Sequence, residues 1–252
     1  MTPCAAPIFA CKIKVQGEAG VADIIDISHL SLHDQVALRL RTMLVEGHIE
    51  PGAKLNERVL CEHLRVSRTP LREAIKLLAV EGLVDLLPNR GAVAVKLTEA
   101  DVMHSFEVLA GLEAMAGELA AERATDAERT EIRAMHHEMT ASFVRRDLSA
   151  YYRLNAAIHT AFNAAARNPV LTATYARINA RVQSLRFRTN QNEKKWQLAM
   201  LEHEQMVQAL DARDAPALRA LLIKHLQHKR DTVLDLLRAG EIYPAKPAAL
   251  KG

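Results

Sequence analysis

The fold is decided by a ten-residue stretch near the N-terminus, Ser67-Arg68-Thr69-Pro70-Leu71-Arg72-Glu73-Ala74-Ile75-Lys76. Ser67 is a favourable N-cap residue, and Pro70 is tolerated because the first turn of a helix leaves its N–H groups unbonded. The apolar residues recur at the i, i+3, i+4 spacing of a helix, so one face of this helix is expected to be buried. Arg68, Arg72 and Lys76 are four apart and form a basic ridge on the outer face.

The residues before this stretch predict two further helices and a tight turn. Residues 31–46 carry apolar side chains on one helical face and end at Gly47, and Asn56 can cap a short helix over 57–64. Only Arg65-Val66 lies between that helix and the capped third helix. This pattern is typical of a helix-turn-helix. Its recognition helix, which enters the major groove of DNA, would be the third helix of this chain.

A β-hairpin is predicted directly after the third helix. Gly82 ends that helix, and the apolar runs 83–87 and 92–95 follow, with a turn at Pro88-Asn89-Arg90-Gly91 between them. The hairpin adds a wing to the helix-turn-helix. At its tip, Arg90 suits a narrow minor groove and Gly91 lets the backbone approach DNA closely.

Composition indicates a helical globular protein. The 252 residues are 49% hydrophobic and 25% charged, with only 10 glycines and 9 prolines, which excludes disordered and collagen-like chains. The net charge of +3 is too even to indicate nucleic acid by itself, so the placement of the arginines carries the DNA-binding argument. Three cysteines without metal-ligand spacing predict a reduced, cytoplasmic protein. Because no apolar run approaches the roughly 18 residues of a membrane span, we expect no membrane partner.

Residues 98–240 contain few glycines and predict an antiparallel all-helical bundle. Capping boxes are expected at Thr98 and at Thr125, each followed three residues later by an acid. Six helices are predicted, over residues 99–124, 126–146, 148–167, 169–189, 194–212 and 215–239. The predicted fold class is therefore mainly α: a flexible lead-in (1–30), a winged helix-turn-helix (31–97), the helical bundle (98–240) and a frayed tail (241–252).

Three of the eleven histidines, His159, His203 and His225, lie next to apolar stripes of the predicted bundle helices. Asn155 lies one turn before His159 and shares its helix face. Bundle cores are places where facing helices build metal sites, and imidazole suits a divalent transition metal such as Zn or Ni. A hydrogen-bonded core histidine is the alternative interpretation of the same spacing.

The N-terminal pattern resembles a known family of regulators. Residues 47–57 (Gly-His-Ile-Glu-Pro-Gly-Ala-Lys-Leu-Asn-Glu), 66–74 (Val-Ser-Arg-Thr-Pro-Leu-Arg-Glu-Ala) and 81–84 (Glu-Gly-Leu-Val) resemble the N-terminal domain of the GntR family of bacterial transcription regulators. The resemblance implies a winged helix that binds a palindromic double-stranded DNA operator as a homodimer. It implies DNA contacts at the positions of Arg58, Arg68, Thr69, Arg72 and Gly91, to which the turn chemistry adds Arg90.

Residues 98–240 are similar to the helical FCD effector domain of the FadR-like branch of that family. The resemblance implies a divalent metal held at the positions of Asn155, His159, His203 and His225, and a small-molecule effector, a carboxylate in many members. Many members have Asp where this chain has Asn155, and an amide oxygen is a weaker, neutral donor.

A second departure concerns the effector. Many members have an arginine that pairs with a carboxylate effector, one turn before the glutamate matching Glu113, and this chain has Leu109 there. Arg181 and Arg186 flank an apolar stripe of the predicted 169–189 helix and are the candidate replacements. Two surface arginines are the alternative interpretation.

The sequence therefore predicts a ligand-responsive transcription regulator that is not an enzyme. One alternative is a DNA-binding dimer whose bundle only dimerises, which a change in DNA affinity with effector would distinguish. Another is a metal-dependent hydrolase, because three histidines and an open position also describe catalytic zinc. His203-Glu204 begins like the HExxH motif of zinc hydrolases, but Val207 stands where the second histidine belongs.

Overall fold

The computed structural model describes residues 31–189 and 193–243. The predicted lead-in (1–30) and residues 244–252 of the predicted tail lie outside the described residues. In the N-terminal part, the helices are α1 (Leu32–Val45), α2 (Glu57–Leu64) and α3 (Arg68–Val80), and the strands are β1 (Lys54–Leu55), β2 (Val84–Leu87) and β3 (Gly91–Ala94). The bundle helices are α4 (Glu99–Arg123), α5 (Asp126–Val144), α6 (Leu148–Ala165), α7 (Pro169–Thr189), α8 (Glu193–Asp211) and α9 (Ala215–Arg238). The predicted fold class, mainly α with a winged helix-turn-helix, is confirmed.

The helix-turn-helix forms because α3 buries the face that its sequence predicts. Leu71, Ala74, Ile75 and Leu78 are all buried against α1 and the sheet. Arg65 adopts the left-handed conformation (φ 56°) that ends α2 and turns the chain into α3. Ser67 occupies the N-cap position as expected, but its side chain makes no capping hydrogen bond.

The wing is a three-stranded antiparallel sheet in the order β1-β3-β2, rather than the two-stranded hairpin that the sequence predicts. β2 pairs with β3 from Val84↔Ala94 to Leu87↔Gly91, and β1 pairs with the other edge of β3 through Leu55↔Ala92. A two-residue strand is too short to produce a period-2 pattern. The extra strand therefore depends on tertiary pairing.

The bundle helices begin and end within two residues of the predicted bounds. Both capping boxes are present, at Thr98 with Asp101 and at Thr125 with Glu128. α4 packs along α9 so closely at Gly117 that an ideal Cβ there would lie 2.2 Å from the Leu222 Cδ1. Among the residues that the structure describes, no helix is both long and apolar enough to cross a membrane.

Two further contacts link separate segments: residues 242 and 243 pack onto the folded chain, and α7 packs against the winged helix. Ile242 is 1% exposed, and the Tyr243 hydroxyl accepts a hydrogen bond from the Leu97 N–H at 3.2 Å, so the first residues of the predicted frayed tail are packed. On α7, Ala180 packs against the core of the winged helix. The helical bundle is therefore in direct contact with the winged helix through α7.

Candidate functional site

The predicted DNA-contacting residues lie on the exposed face of the winged helix. Arg68, Thr69 and Arg72 are exposed at the N-terminal half of α3, and Arg58 is exposed on the first turn of α2. Arg90 and Gly91 are exposed at the wing tip. Gly91 has φ 84°, a left-handed conformation that favours glycine.

Acidic neighbours pair with two of these arginines and with Lys76 of the basic ridge. The Arg72 Nε donates to Glu57 at 2.9 Å, the Arg58 Nη1 lies 3.4 Å from the Glu62 Oε1, and the Lys76 Nζ lies 2.9 Å from the Glu73 Oε1. The basic side chains are exposed and their carboxylate partners are exposed or half-buried, so these ion pairs are weak and a phosphate can replace the carboxylate. The described pairs orient the basic side chains without closing the surface to DNA.

The three candidate metal ligands meet in the core of the bundle. His159 lies on α6, His203 on α8 and His225 on α9, and each is at most 2% exposed. The ring centroids are 4.8–5.3 Å apart, and one ligand atom from each ring lies within 4.8 Å of the others. The structure therefore brings together three residues that are far apart in sequence.

Each imidazole Nδ1 faces an oxygen on its outer side. The His203 Nδ1 hydrogen-bonds to the Ala199 carbonyl at 2.7 Å, and the His225 Nδ1 hydrogen-bonds to the Glu202 Oε2 at 2.7 Å. The His159 Nδ1 lies 2.7 Å from the Glu113 Oε2, a contact with the distance but not the alignment of a hydrogen bond. For His203 and His225, the acceptor on Nδ1 places the ring proton there and leaves the Nε2 lone pair available.

The Nε2 atoms of all three histidines are buried without a hydrogen-bond partner. Burial and neighbouring positive charge hold the pKa of His159 and of His203 well below the ordinary histidine value, and burial also lowers the pKa of His225. The cluster is therefore neutral near pH 7. Three neutral imidazoles with buried, unpartnered Nε2 atoms are a donor set that fits a divalent transition metal.

The predicted fourth ligand and one predicted arginine also belong to this region. Asn155 is buried one turn before His159 on α6. The Arg186 guanidinium is 5% exposed and lies 3.5 Å from the Glu113 Oε1. Burial raises the pKa of Glu113, and Arg186 opposes that shift. Arg181 lies elsewhere, against Gly82 of the winged helix.

Sequence reasoning missed three polar residues around the cluster: Glu202, His228 and Lys229. Glu202 is 5% exposed. Burial raises the pKa of its carboxyl, but hydrogen bonds from His225 and His228 outweigh burial and keep that pKa below its ordinary value. Burial lowers the pKa of Lys229 to about 7. Helical phase was the available signal, because Glu202 is in register with buried residues of α8 and Lys229 with those of α9.

Comparison with known proteins agrees with both halves of the structure. Residues 32–93 match the model of the bacterial regulatory proteins of the gntR family, and residues 104–228 match the FCD domain. The Nta operon transcriptional regulator of Aminobacter aminovorans is 32% identical over 208 residues, which cover 80% of this chain and 95% of that protein. The chain belongs to the GntR family.

Further relatives support this assignment. The HTH-type transcriptional repressor RspR of Escherichia coli (strain K12) is 25% identical over 205 residues, covering 81% of this GntR-family chain and 90% of the relative. In fold, the chain resembles the E. coli McbR/YncC structure with a TM-score of 0.75, at 21% identity, over 82% of this chain and 99% of that one. The protein is thus a GntR-family transcriptional regulator with an FCD domain.

Proposed function

We propose that this protein is a ligand-responsive regulator that binds a palindromic operator as a homodimer and holds a divalent metal and a small metabolite in its bundle. The proposal assigns DNA binding to residues 31–97 and dimerisation and ligand binding to residues 98–240. The observation that carries the ligand-binding half is the set of three buried, unpartnered Nε2 atoms on His159, His203 and His225. In a bundle that served only for dimerisation, these buried polar atoms would cost stability without binding a ligand.

The DNA-binding half is supported by the placement of positive charge. Arg68, Thr69 and Arg72 are exposed at the end of α3 that enters the major groove in helix-turn-helix proteins. Arginine can make a bidentate contact to guanine there, and threonine can contact a phosphate or a thymine methyl. Arg58 on α2 and Arg90 at the wing tip are also exposed and add to the basic residues of the winged helix.

The metal would be held by the three histidines, with Asn155 as a neutral oxygen donor on the same face of α6. When bound, such a metal supplies a Lewis-acidic centre to which a carboxylate or hydroxyl of an effector can attach. Arg186 adds positive charge at this site, which favours an anionic effector. With Leu109 in place of the family arginine, Arg186 is the arginine that the proposal assigns to the effector. Arg181 is not assigned to it.

α7 gives the proposed ligand site a route to the DNA-binding unit. The Arg186 Nη1 donates to the Asn179 Oδ1 at 2.7 Å, and Asn179 lines a cleft of about 520 Å³ between the bundle and the winged helix. Ala180 and Arg181 contact the winged helix from the same helix. A ligand that binds one arrangement of these contacts more tightly shifts the population of DNA-binding states by that difference in affinity.

The first test is metal content. Untagged wild-type protein is compared by mass spectrometry with a His159→Ala/His203→Ala double variant, and with His136→Ala as a control for loss of another buried histidine. The proposal expects about one metal per wild-type and control chain and none in the double variant. A wild-type protein that stays metal-free after loading with Zn²⁺ or Ni²⁺ and buffer exchange contradicts the metal assignment.

The second test separates a regulator from the other candidates. Operator fragments selected from random DNA are titrated with metal-loaded protein, with and without small carboxylates. A change in DNA affinity with one compound supports the regulator, and unchanged affinity across compounds that bind the bundle supports a purely dimerising domain. Turnover of the bound compound would instead indicate an enzyme.

A further inference from the structure

One buried carboxylate joins two histidines of α9. Glu202, on α8, places its Oε2 2.7 Å from the Nδ1 of His225, and its Oε1 hydrogen-bonds to the Nδ1 of His228. The side chains of Glu202 and His225 are 6% and 2% exposed, whereas that of His228 is 40% exposed. The carboxylate therefore lies between a core imidazole and one that reaches solvent.

We propose that Glu202 is a positioning residue for the metal site, and that His228 holds Glu202 in place from the solvent side. This inference rests on the metal binding proposed above. A carboxylate on Nδ1 fixes the proton on that nitrogen, orients the ring and increases the basicity of Nε2. The Nε2 of His225 is the atom that is buried without a partner.

The other two imidazoles are held differently, which gives Glu202 a distinct role among the described residues. A backbone carbonyl, that of Ala199, accepts from His203, and Glu113 faces His159 with Arg186 on its far side. Both of those arrangements are enclosed in the core. Of the three arrangements that support the histidines, only the Glu202–His228 pair on His225 reaches the surface. A substitution of the partly exposed His228 can therefore alter the buried site.

The decisive experiment measures affinity for Zn²⁺ by competition with a chromophoric chelator, using the full chain. We expect Glu202→Leu, which removes both acceptors at similar volume, to weaken Zn²⁺ binding about 10–100-fold. We expect a smaller loss in Glu202→Gln, which keeps one acceptor oxygen, and in His228→Gln, which removes only the outer support. Glu204→Gln is the matched control, because Glu204 is half-exposed and faces His136 instead.

A second readout separates positioning from general damage to the fold. In Co²⁺-loaded protein, the ligand-field bands report the donor strength of the bound imidazoles. They should shift in Glu202→Gln and stay at the wild-type energies in Glu204→Gln. A variant with lower stability whose imidazoles still bind the metal in the same way would leave these bands unchanged.

The outcomes are distinguishable. If wild-type protein binds neither Zn²⁺ nor Co²⁺, the proposed metal function fails. If wild-type protein binds metal and Glu202→Leu and Glu202→Gln bind it equally well with unshifted bands, the role of Glu202 is overturned and the metal function stands. Should Glu202→Leu lack the helical circular dichroism of the wild type, Glu202→Gln decides the question alone.

Discussion

The His159 Nδ1 lies 2.7 Å from the Glu113 Oε2 in the core of the bundle, although the two residues belong to different helices, α6 and α4. Both side chains are 1% exposed. This contact has the distance but not the alignment of a hydrogen bond, and a metal on Nε2 would require the ring proton to be on Nδ1, next to this carboxylate. The same carboxylate faces Arg186, so one residue links the proposed metal ligand to the proposed effector arginine.

Replacing Glu113 should therefore affect both metal binding and stability. We expect Glu113→Gln to weaken Zn²⁺ binding by about tenfold or more, and to destabilise the fold by about 3 kcal/mol because Arg186 loses its buried counter-charge. Chelator competition and urea unfolding measure the two effects. The control is Glu118→Gln, on the same helix as Glu113, which breaks an exposed ion pair with Arg219 of α9 and should change neither quantity.

Asn155 provides a test of the fourth metal ligand. We expect Asn155→Asp to tighten binding of Zn²⁺ or Ni²⁺ by at least about tenfold, equivalent to about 1.4 kcal/mol, because a carboxylate adds a charged donor to a neutral histidine set. Asn168→Asp, which keeps the oxygen that accepts from the Leu171 N–H, is a control with the same charge change. Equal or weaker binding in Asn155→Asp would mean that the side chain of residue 155 does not bind the metal.

The basic ridge of α3 predicts graded losses of DNA affinity. Arg68→Ala and Arg72→Ala should each weaken operator binding by about 1–3 kcal/mol, and Arg90→Ala should weaken it less while lowering the salt slope by about one. Fluorescence anisotropy at several salt concentrations measures both the operator affinity and its dependence on salt. Because Glu57 holds Arg72 in free protein, Glu57→Gln should bind DNA at least as tightly as wild type. Wild-type affinity in both Arg68→Ala and Arg72→Ala would contradict the groove assignment.

Two glycines of α4 predict opposite effects of the same substitution. Gly117→Ala should destabilise the fold by about 1–3 kcal/mol, because the new Cβ overlaps Leu222 and lies 3.1 Å from the Leu218 Cγ. Gly111→Ala meets no atom within 4 Å and should stabilise the helix by up to about 1 kcal/mol. Thermal unfolding of the two variants measures the difference. If Gly117→Ala changed the stability no more than Gly111→Ala does, the close packing of α4 on α9 at Gly117 would be contradicted.

The buried histidines predict acid sensitivity of the metal-free protein. The pKa values of His159, His203 and His225 are lowered in the fold, so below the ordinary value of 6.5 the unfolded chain binds more protons than the native one. The free energy of unfolding should fall as pH decreases from 6.5, by up to about 1.4 kcal/mol per pH unit for each histidine. Glu113, whose pKa is raised from 4.5, has the opposite dependence above that value and offsets only part of the effect.

Urea unfolding in the presence of a chelator at pH 7.5, 6.5 and 5.5 measures this dependence. His203→Leu should show a shallower decline, because it removes one buried imidazole, while the exposed His48→Leu should follow the wild type. A free energy of unfolding that stays constant from pH 7.5 to 5.5 would mean that the native histidines take up protons as readily as those of the unfolded chain.

Much of the site was predictable because its residues lie on well-marked helices. The spacing of Asn155 and His159, and the apolar stripes beside His203 and His225, place all four on inward faces, where the structure finds them. Arg181 and Arg186 flank the same stripe in sequence, yet only Arg186 reaches Glu113. Small differences in helix rotation and packing separate them, and a single-helix pattern does not contain that information.

The sequence by itself determined the elements: where the helices begin and end, the helix-turn-helix and the wing turn. These depend on local interactions, such as the Thr98 and Thr125 capping boxes and the left-handed glycines at 82 and 91. Only the tertiary structure decided the pairing of β1 with β3, the contact of Glu113 with His159 and the bridge that Glu202 makes between His225 and His228. Each joins residues from different elements, and burial then gives such polar contacts their effect by removing competing water.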